Sequence, residues 1–258
     1  MLTDGARGYQ LAGEGVSSPL LEVPGVVPPG VLPNGSALSD PHVFGPLAAP
    51  GNAWFHGAKR MFDVVGALLG MIVCAPLIVT IVAVVRLGSK GPAFYSHLRV
   101  GRHGRHFRCW KFRTMVLDAD GELVRLLDRS PALRDEYAQS CKLRADPRVT
   151  PIGRWLRRTS LDELPQLWNV LRGDMTLVGP RPLLVDEPER YGDALATVLR
   201  VRPGLTGIWQ VSGRNAVPYA VRIEMQARQA EQTSLSRDFL VVLKTLAQML
   251  PWRSGGAW

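Results

Sequence analysis

"KRMFDVVGALLGMIVCAPLIVTIVAVVRLGSK", residues 59–90, carries one charged side chain, Asp63, between Arg60 and Arg86. As a straight helix, about 25 residues at 1.5 Å each reach roughly 37 Å, enough for a ~30 Å hydrocarbon layer. A buried core helix of a soluble protein is disfavoured by that length, so the segment is expected in a membrane. Pro76 lies near its middle, and a helix broken there has two arms each too short to span. Both flanks are basic, with Lys59 and Arg60 on one side and Arg86 and Lys90 on the other. A single span favours one basic side, whereas a re-entrant hairpin returns both ends to the cytoplasmic face. Sequence physics leaves that hairpin and a kinked spanning helix equally open.

Upstream, residues 1–57 are rich in Gly, Pro, Ala and Ser and show neither helical nor strand period, so a disordered or polyproline-like tail is expected. The start, "MLTDGARGYQ", lacks the basic and apolar regions of a secretory signal. The 258 residues allow one main core plus an appendage. A net charge of +9 fits nucleic acid, an anionic membrane or a phosphorylated substrate. Cys74, Cys109 and Cys141 are odd in number and widely spaced, against both a disulfide framework and a zinc site. His42, His56, His97, His103 and His106 form no firm metal pattern and read as surface residues.

Downstream, "GPAFYSHLRVGRHGRHFRCWKFRTM" alternates apolar or aromatic with basic residues around Gly and predicts a short hairpin. Residues 118–142 read as one or two amphipathic helices, with Leu123, Leu126, Leu127 and Leu133 apolar. "TSLDELPQL", residues 159–167, then places Asp162 beside Glu163, behind Arg154, Arg157 and Arg158. Ser160 and Glu163 spell a capping box. Pro165 argues instead for a helix starting near itself, with Leu164, Leu167, Trp168 and Leu171 as its buried stripe and Gly173 as its stop. On that reading two acids stand at a helix mouth among arginines, a place suited to a phosphate.

The cluster of Arg157, Arg158 and Arg181 around two carboxylates suits a diphosphate substrate. Phosphoryl transfer needs cations on the non-bridging oxygens and usually a divalent metal. Magnesium takes one or two carboxylates plus phosphate oxygens, which Asp162 and Glu163 can supply. A carboxylate can also attack phosphorus directly. Adjacent acids permit both roles.

From Lys59 onward, the basic-flanked segment with its central Pro76, "KFRTM" (111–115), "DPRVTPIGRWLRRTSLDELPQLWNVLRGDMTLVGPRP" (146–182) and "VRPGLTGIWQVSGR" (201–214) resemble the bacterial sugar transferases. These are the single-domain polyprenyl-phosphate phosphoglycosyl transferases. The resemblance implies an α-rich α+β monotopic membrane protein: a re-entrant helix-turn-helix over 58–90 broken at Pro76, attached to a cytoplasmic catalytic domain with short strands over 91–258. It implies transfer of a hexose-1-phosphate from a UDP-sugar to undecaprenyl phosphate at the cytoplasmic face of the bacterial inner membrane, with release of UMP. That would be the first membrane step of exopolysaccharide, capsule or O-antigen assembly. Asp162 becomes the nucleophile, and Glu163 assists through Mg2+, with both acids as metal ligands. Arg157 and Arg181 match positions around the phosphates, with Lys111 and Arg113 as further substrate contacts and Gly207 and Gln210 holding the nucleotide. Where family members carry Asp-x-x-Tyr before "W-S-L", this chain has Gln226 and Gln229, so the sugar is not assigned. The terminal "GGAW" resembles the family's ending. Membrane lipid is the remaining partner, homo-oligomerisation stays open, and nucleic acid is not expected because no recognition motif accompanies the basic and aromatic residues at Phe107, Trp110 and Phe112.

Overall fold

The structure is a computed structural model that describes residues 52–140, 143–213 and 217–249. The tail up to residue 51, His42, Cys141 and the "GGAW" ending lie outside the described residues. Helix α1 spans Ala53–Gly88. It begins within the expected tail because the Asn52 Oδ1 accepts from the Phe55 N–H at 2.9 Å, which caps the first turn. Only 11% of its most apolar window is buried, unlike the core helix of a soluble protein, and by length and composition it could cross a membrane.

The expected helix-turn-helix is replaced by one helical run through Pro76. A proline removes one ladder hydrogen bond, and the adjoining turns keep theirs. Thr80 Oγ1 donates back to the Pro76 carbonyl at 2.9 Å, a bond that favours bending over rupture.

Two fastenings tie α1 to the rest of the chain. At its start Asp63 is 1% exposed. Its Oδ2 accepts from Thr176 Oγ1 at 2.7 Å, and its Oδ1 accepts from the Leu177 N–H at 3.0 Å and from Lys59 Nζ at 3.2 Å. Lys59 also pairs with Asp238 at 2.7 Å. Arg60 donates to the carbonyls of Val170 and Leu171 at 2.6 and 2.7 Å. These close the C-terminal turn of helix α5, whose range is Gln166–Arg172. At the far end Arg113 donates to the carbonyls of Lys90 and Ser89 and to Ser89 Oγ at 2.6, 3.0 and 2.8 Å.

The expected hairpin is present as β1 (Phe94–Val100) antiparallel to β2 (His106–Phe112), with Tyr95 opposite Lys111 and Arg99 opposite Phe107. Amphipathic helices α2 (Ala119–Arg129) and α3 (Pro131–Ser140) follow, and Leu123 and Leu127 pack with Leu143 and Leu133. Helix α4 (Pro151–Thr159) starts at a Thr150 cap. Its Gly153 lies so close to the backbone of Thr114 that a Cβ would collide with the Thr114 carbonyl. Two three-residue strands, β3 (Thr176–Val178) and β4 (Gly204–Thr206), pair in parallel. Short helices α6 (Ala194–Val198) and α7 (Ile208–Val211) flank β4, and α8 (Tyr219–Glu231) and α9 (Leu235–Met249) close the fold. The central core joins Ala67 of α1, Leu167 and Val170 of α5, Leu177 and Val178 of β3 and Val241 of α9.

Asp63→Ala leaves the Leu177 N–H and the Thr176 hydroxyl unmatched in a buried setting. It should destabilise the protein by on the order of 3 kcal/mol, read by chemical denaturation in detergent. A loss within experimental error would show that α1 is held by apolar packing instead.

Candidate active site

The acid pair sits where α4 ends. Ser160 adopts a left-handed backbone (φ 58, ψ 16) and closes α4, and Leu161–Glu163 then form a single 3-10 turn. The alternative of a capping box is absent, because a left-handed Ser160 makes no side-chain cap and Glu163 reaches another partner. Helix α5 begins just after Pro165 and stops at Gly173, which has φ 88, as the Pro and Gly signals require. Its buried face is Gln166, Leu167, Asn169 and Val170. Trp168, expected inside, is 50% exposed.

Lys111 crosses to both acids. Its Nζ lies 2.7 Å from Glu163 Oε1 and 3.4 Å from Asp162 Oδ2. Asn169 sets this register: its Nδ2 donates to the Arg108 carbonyl at 2.8 Å and its Oδ1 accepts from the Trp110 N–H at 3.0 Å, so α5 grips β2 one residue before Lys111. Arg157 Nε donates to Thr114 Oγ1 at 2.9 Å, and its guanidinium acts on Asp162. Arg181 and Arg99 act on Glu163.

Asp162, 7% exposed, is raised from the ordinary carboxyl value by burial, opposed by Lys111 and reinforced by Glu163. Burial also presses on Glu163, but the Lys111 ammonium overrides it, with Arg181 and Arg99 adding to the effect, and the net shift is downward. Two neighbouring carboxyls are thus pushed apart, one toward the more basic, nucleophilic end of the range and one toward permanent ionisation. Burial holds the Cys109 thiol at about 11, so it stays protonated and unreactive.

The expected site residues separate into two groups. Asp162, Glu163, Lys111, Arg157 and Arg181 come together. Arg113 does not join them, because its guanidinium is spent on Lys90 and Ser89 at the end of α1. Gly207 packs against the Gly179 carbonyl, and Gln210 donates to the Leu205 carbonyl at 3.3 Å. No hydrogen bond or ion pair among the described residues links these two to the acids. Gln226 and Gln229 have definite roles. Gln226, 3% exposed, accepts from the Arg181 N–H at 2.8 Å and donates to Tyr191 Oη at 3.0 Å. Gln229 accepts from the Ile208 N–H at 3.0 Å. The "GPRP" loop is therefore held in place by a neutral amide.

Arg99 and Asn169 were missed in the sequence. The signal for Arg99 was alternation: Tyr95, His97 and Arg99 share a face of β1 and stand opposite Lys111, Cys109 and Phe107. His97 on that face is half-buried, and burial followed by Arg99 lowers its pKa, so it is no plain surface histidine. His56, His103 and His106 are exposed. Phe112 is fully buried and stacked on Phe94 at 5.3 Å, which leaves it no open ring face for a base.

Among the described residues no group of three or more metal-ligating side chains occurs. Asp162 and Glu163 each use one carboxylate oxygen on Lys111 and receive no hydrogen bond on the other from the described residues. Each acid thus keeps one hard carboxylate oxygen uncommitted, a donor set that suits magnesium, which completes its shell with phosphate oxygens and water.

A family profile described as bacterial sugar transferase matches residues 54–251. The chain is 47% identical over 201 residues to an undecaprenyl-phosphate galactose phosphotransferase of Salmonella typhimurium, covering 78% of this chain and 41% of that protein. It is 46% identical over 189 residues to the exopolysaccharide production protein ExoY of Sinorhizobium fredii, covering 73% and 84%. It is 38% identical over 186 residues to an undecaprenyl-phosphate glucose phosphotransferase of Komagataeibacter xylinus, covering 66% and 32%. The chain thus spans less than half the length of the two phosphotransferases and most of the exopolysaccharide protein.

Lys111 pulls the Asp162 carboxyl down more than Arg157 does, so Lys111→Met leaves burial and Glu163, which raise it, opposed by Arg157 alone. The Asp162 carboxyl infrared band, identified by its loss in Asp162→Asn, should titrate at higher pH in Lys111→Met than in the parent protein. An unchanged or lower midpoint would mean that Lys111 does not govern Asp162.

Proposed function

The chain belongs to the bacterial sugar transferase family, and from that premise we propose that it moves a sugar-1-phosphate from a UDP-sugar to undecaprenyl phosphate, releasing UMP. The observation that carries this reading is the convergence of Lys111, Arg99, Arg157 and Arg181 on a buried Asp162 and its ionised neighbour Glu163. Lys111 and Arg157 act on the raised Asp162, and Lys111, Arg181 and Arg99 on Glu163, so four cations serve the acid pair, as a diphosphate and a covalent phosphoryl step require.

Asp162 attacks the phosphorus that bears the sugar. Its oxygen–phosphorus bond forms as the bond from that phosphorus to the bridging oxygen breaks, and UMP departs with that oxygen. An oxygen of undecaprenyl phosphate then attacks the same phosphorus, the Asp162 bond breaks, and the carboxylate is restored. Arg181 and Arg99 neutralise non-bridging oxygens, and Lys111 holds both acids in register. Asp162 and Glu163 would hold Mg2+, which when bound neutralises diphosphate charge.

The membrane placement follows the same reading. Both ends of α1 are fastened to one folded unit, at Arg60 and Asp63 and again at Ser89. This supports α1 entering and leaving by the cytoplasmic face of the inner membrane, with the site facing the nucleotide-sugar pool. The relatives are named for galactose, glucose and exopolysaccharide production, which supports a role in surface-polysaccharide assembly.

Purified protein with Mg2+ and a panel of UDP-sugars should release UMP continuously when undecaprenyl phosphate is present. Without the lipid, release should stop at a burst no larger than the enzyme concentration, with added mass on the Asp162 peptide. Asp162→Asn should abolish both signals, and full turnover by this variant would refute the covalent route.

Gln226→Leu removes the acceptor for the Arg181 N–H and should lower kcat/KM about tenfold or more by loosening the loop, with 1–3 kcal/mol of lost stability. Unaltered kinetics would mean that Arg181 is placed by other contacts.

A further inference from the structure

A cleft away from the acid pair opens at the foot of α1, between its first turns, β3, the approach to β4 and the junction of α8 with α9. Its charged lining is Lys59, Asp63, Arg102, Arg202, Arg237 and Asp238. The Lys59 ammonium bridges both carboxylates, at 3.2 Å to Asp63 and 2.7 Å to Asp238. That leaves three guanidiniums facing one uncompensated negative charge. Arg102 Nε rests on the Arg200 carbonyl at 2.9 Å, and Arg237 rests on the carbonyl and side-chain oxygens of Gln232 at 2.9 and 3.3 Å. These acceptors are neutral. Arg202 makes no side-chain hydrogen bond or ion pair among the described residues, although it is half-buried. Burial and the like charges of Arg102 and Arg60 press its pKa down, with Asp63 opposing. Arg202 thus lines the cleft half-buried with its guanidinium fork uncommitted, a donor set that suits an anionic oxygen group.

The position of the cleft says what supplies it. Lys59 and Arg60 stand at the border where the uncharged run of α1 begins, and Trp54, 77% exposed, sits one turn earlier. Aromatic and basic residues at such a border mark the head-group level of a bilayer. We propose that this cleft is a second anion site, separate from the acid pair, in which Arg202, Arg102 and Arg237 bind a phosphate group at the membrane surface. The phosphate chemistry is shared by two sources, an anionic phospholipid head group and free phosphate. A bound head group would hold the foot of α1 at a fixed depth and so set the height of the catalytic site above the bilayer. This last consequence rests on the membrane reading of α1, whereas the anion site itself does not.

The test uses the full chain in a neutral detergent, with dihexanoyl phosphatidylglycerol and inorganic phosphate as separate probes at constant ionic strength, followed by calorimetry. Binding of the lipid probe should weaken at least about tenfold in Arg202→Gln and in Arg237→Gln, and stay unchanged in Asp162→Asn. Arg202→Lys, which keeps the charge, should recover part of it and controls for misfolding, alongside thermal unfolding of each variant. Equal dependence of both probes on Arg202 supports the site and assigns it to phosphate in general; dependence of the lipid probe alone assigns it to the head group. Lack of binding by the parent protein, equal binding by folded Arg202→Gln and Arg237→Gln, or loss on Asp162→Asn instead would overturn the proposal. None of these readouts involves UMP release, so failure of the transferase reading would leave them interpretable.

Discussion

The Asp63 carboxylate holds the molecule together. It is the one acid on a helix that leaves many of its apolar side chains exposed, and it is spent inward on Thr176, Leu177 and Lys59. Burying a charge is costly unless it is paired and hydrogen-bonded, and here it is both. Because Asp63 grips β3, and Arg60 grips the end of α5, an element built for lipid is fixed in orientation to the segment that leads into the "GPRP" loop. The Asn169 clamp then carries that orientation from α5 to β2 and so to Lys111. Membrane anchor and acid pair are therefore linked by a short series of hydrogen bonds.

The site itself depends on a backbone conformation that a serine rarely adopts. Left-handed geometry at Ser160 costs roughly 1 kcal/mol or more. It ends α4 at once and turns the chain so that Asp162 points inward while Glu163 remains accessible beside Lys111. A regular helix through these residues would send neighbouring side chains about 100° apart. The close packing of Gly153 on Thr114 sets α4 against the strand end, and the Thr114 hydroxyl then orients Arg157.

Much of this was legible in the sequence where the signal is local. The apolar run, the hairpin, the paired amphipathic helices and the start of α5 after Pro165 all follow from period, turn residues and end signals. The capping box failed because the motif presumes an extended backbone at Ser160. The helix runs on through Pro76, since one missing N–H does not stop a helix whose neighbouring turns are intact. Arg113 was expected at the substrate from the family resemblance of "KFRTM", but β2 ends at Phe112 and Arg113 turns toward Ser89. Lys111 with Glu163, Asn169 with Arg108 and Gln226 with Arg181 are separated by 52, 61 and 45 residues. No spacing rule reaches that far, and only the tertiary register shows why the amides at 226 and 229 are where they are.

The partners of Asp63 lie 113 and 114 residues later in the chain. At a synthesis rate of about 5–20 residues per second, that distance represents several seconds of translation. During this interval α1 is already made and the groups that will receive its carboxylate do not yet exist. The nascent helix must wait with Asp63 answered only by Lys59 and water, near the surface and not deep in lipid. Once β3 has been made, its Thr176 hydroxyl and Leu177 N–H can withdraw the carboxylate from water. The order of synthesis therefore runs from the apolar helix to the strand that seats it.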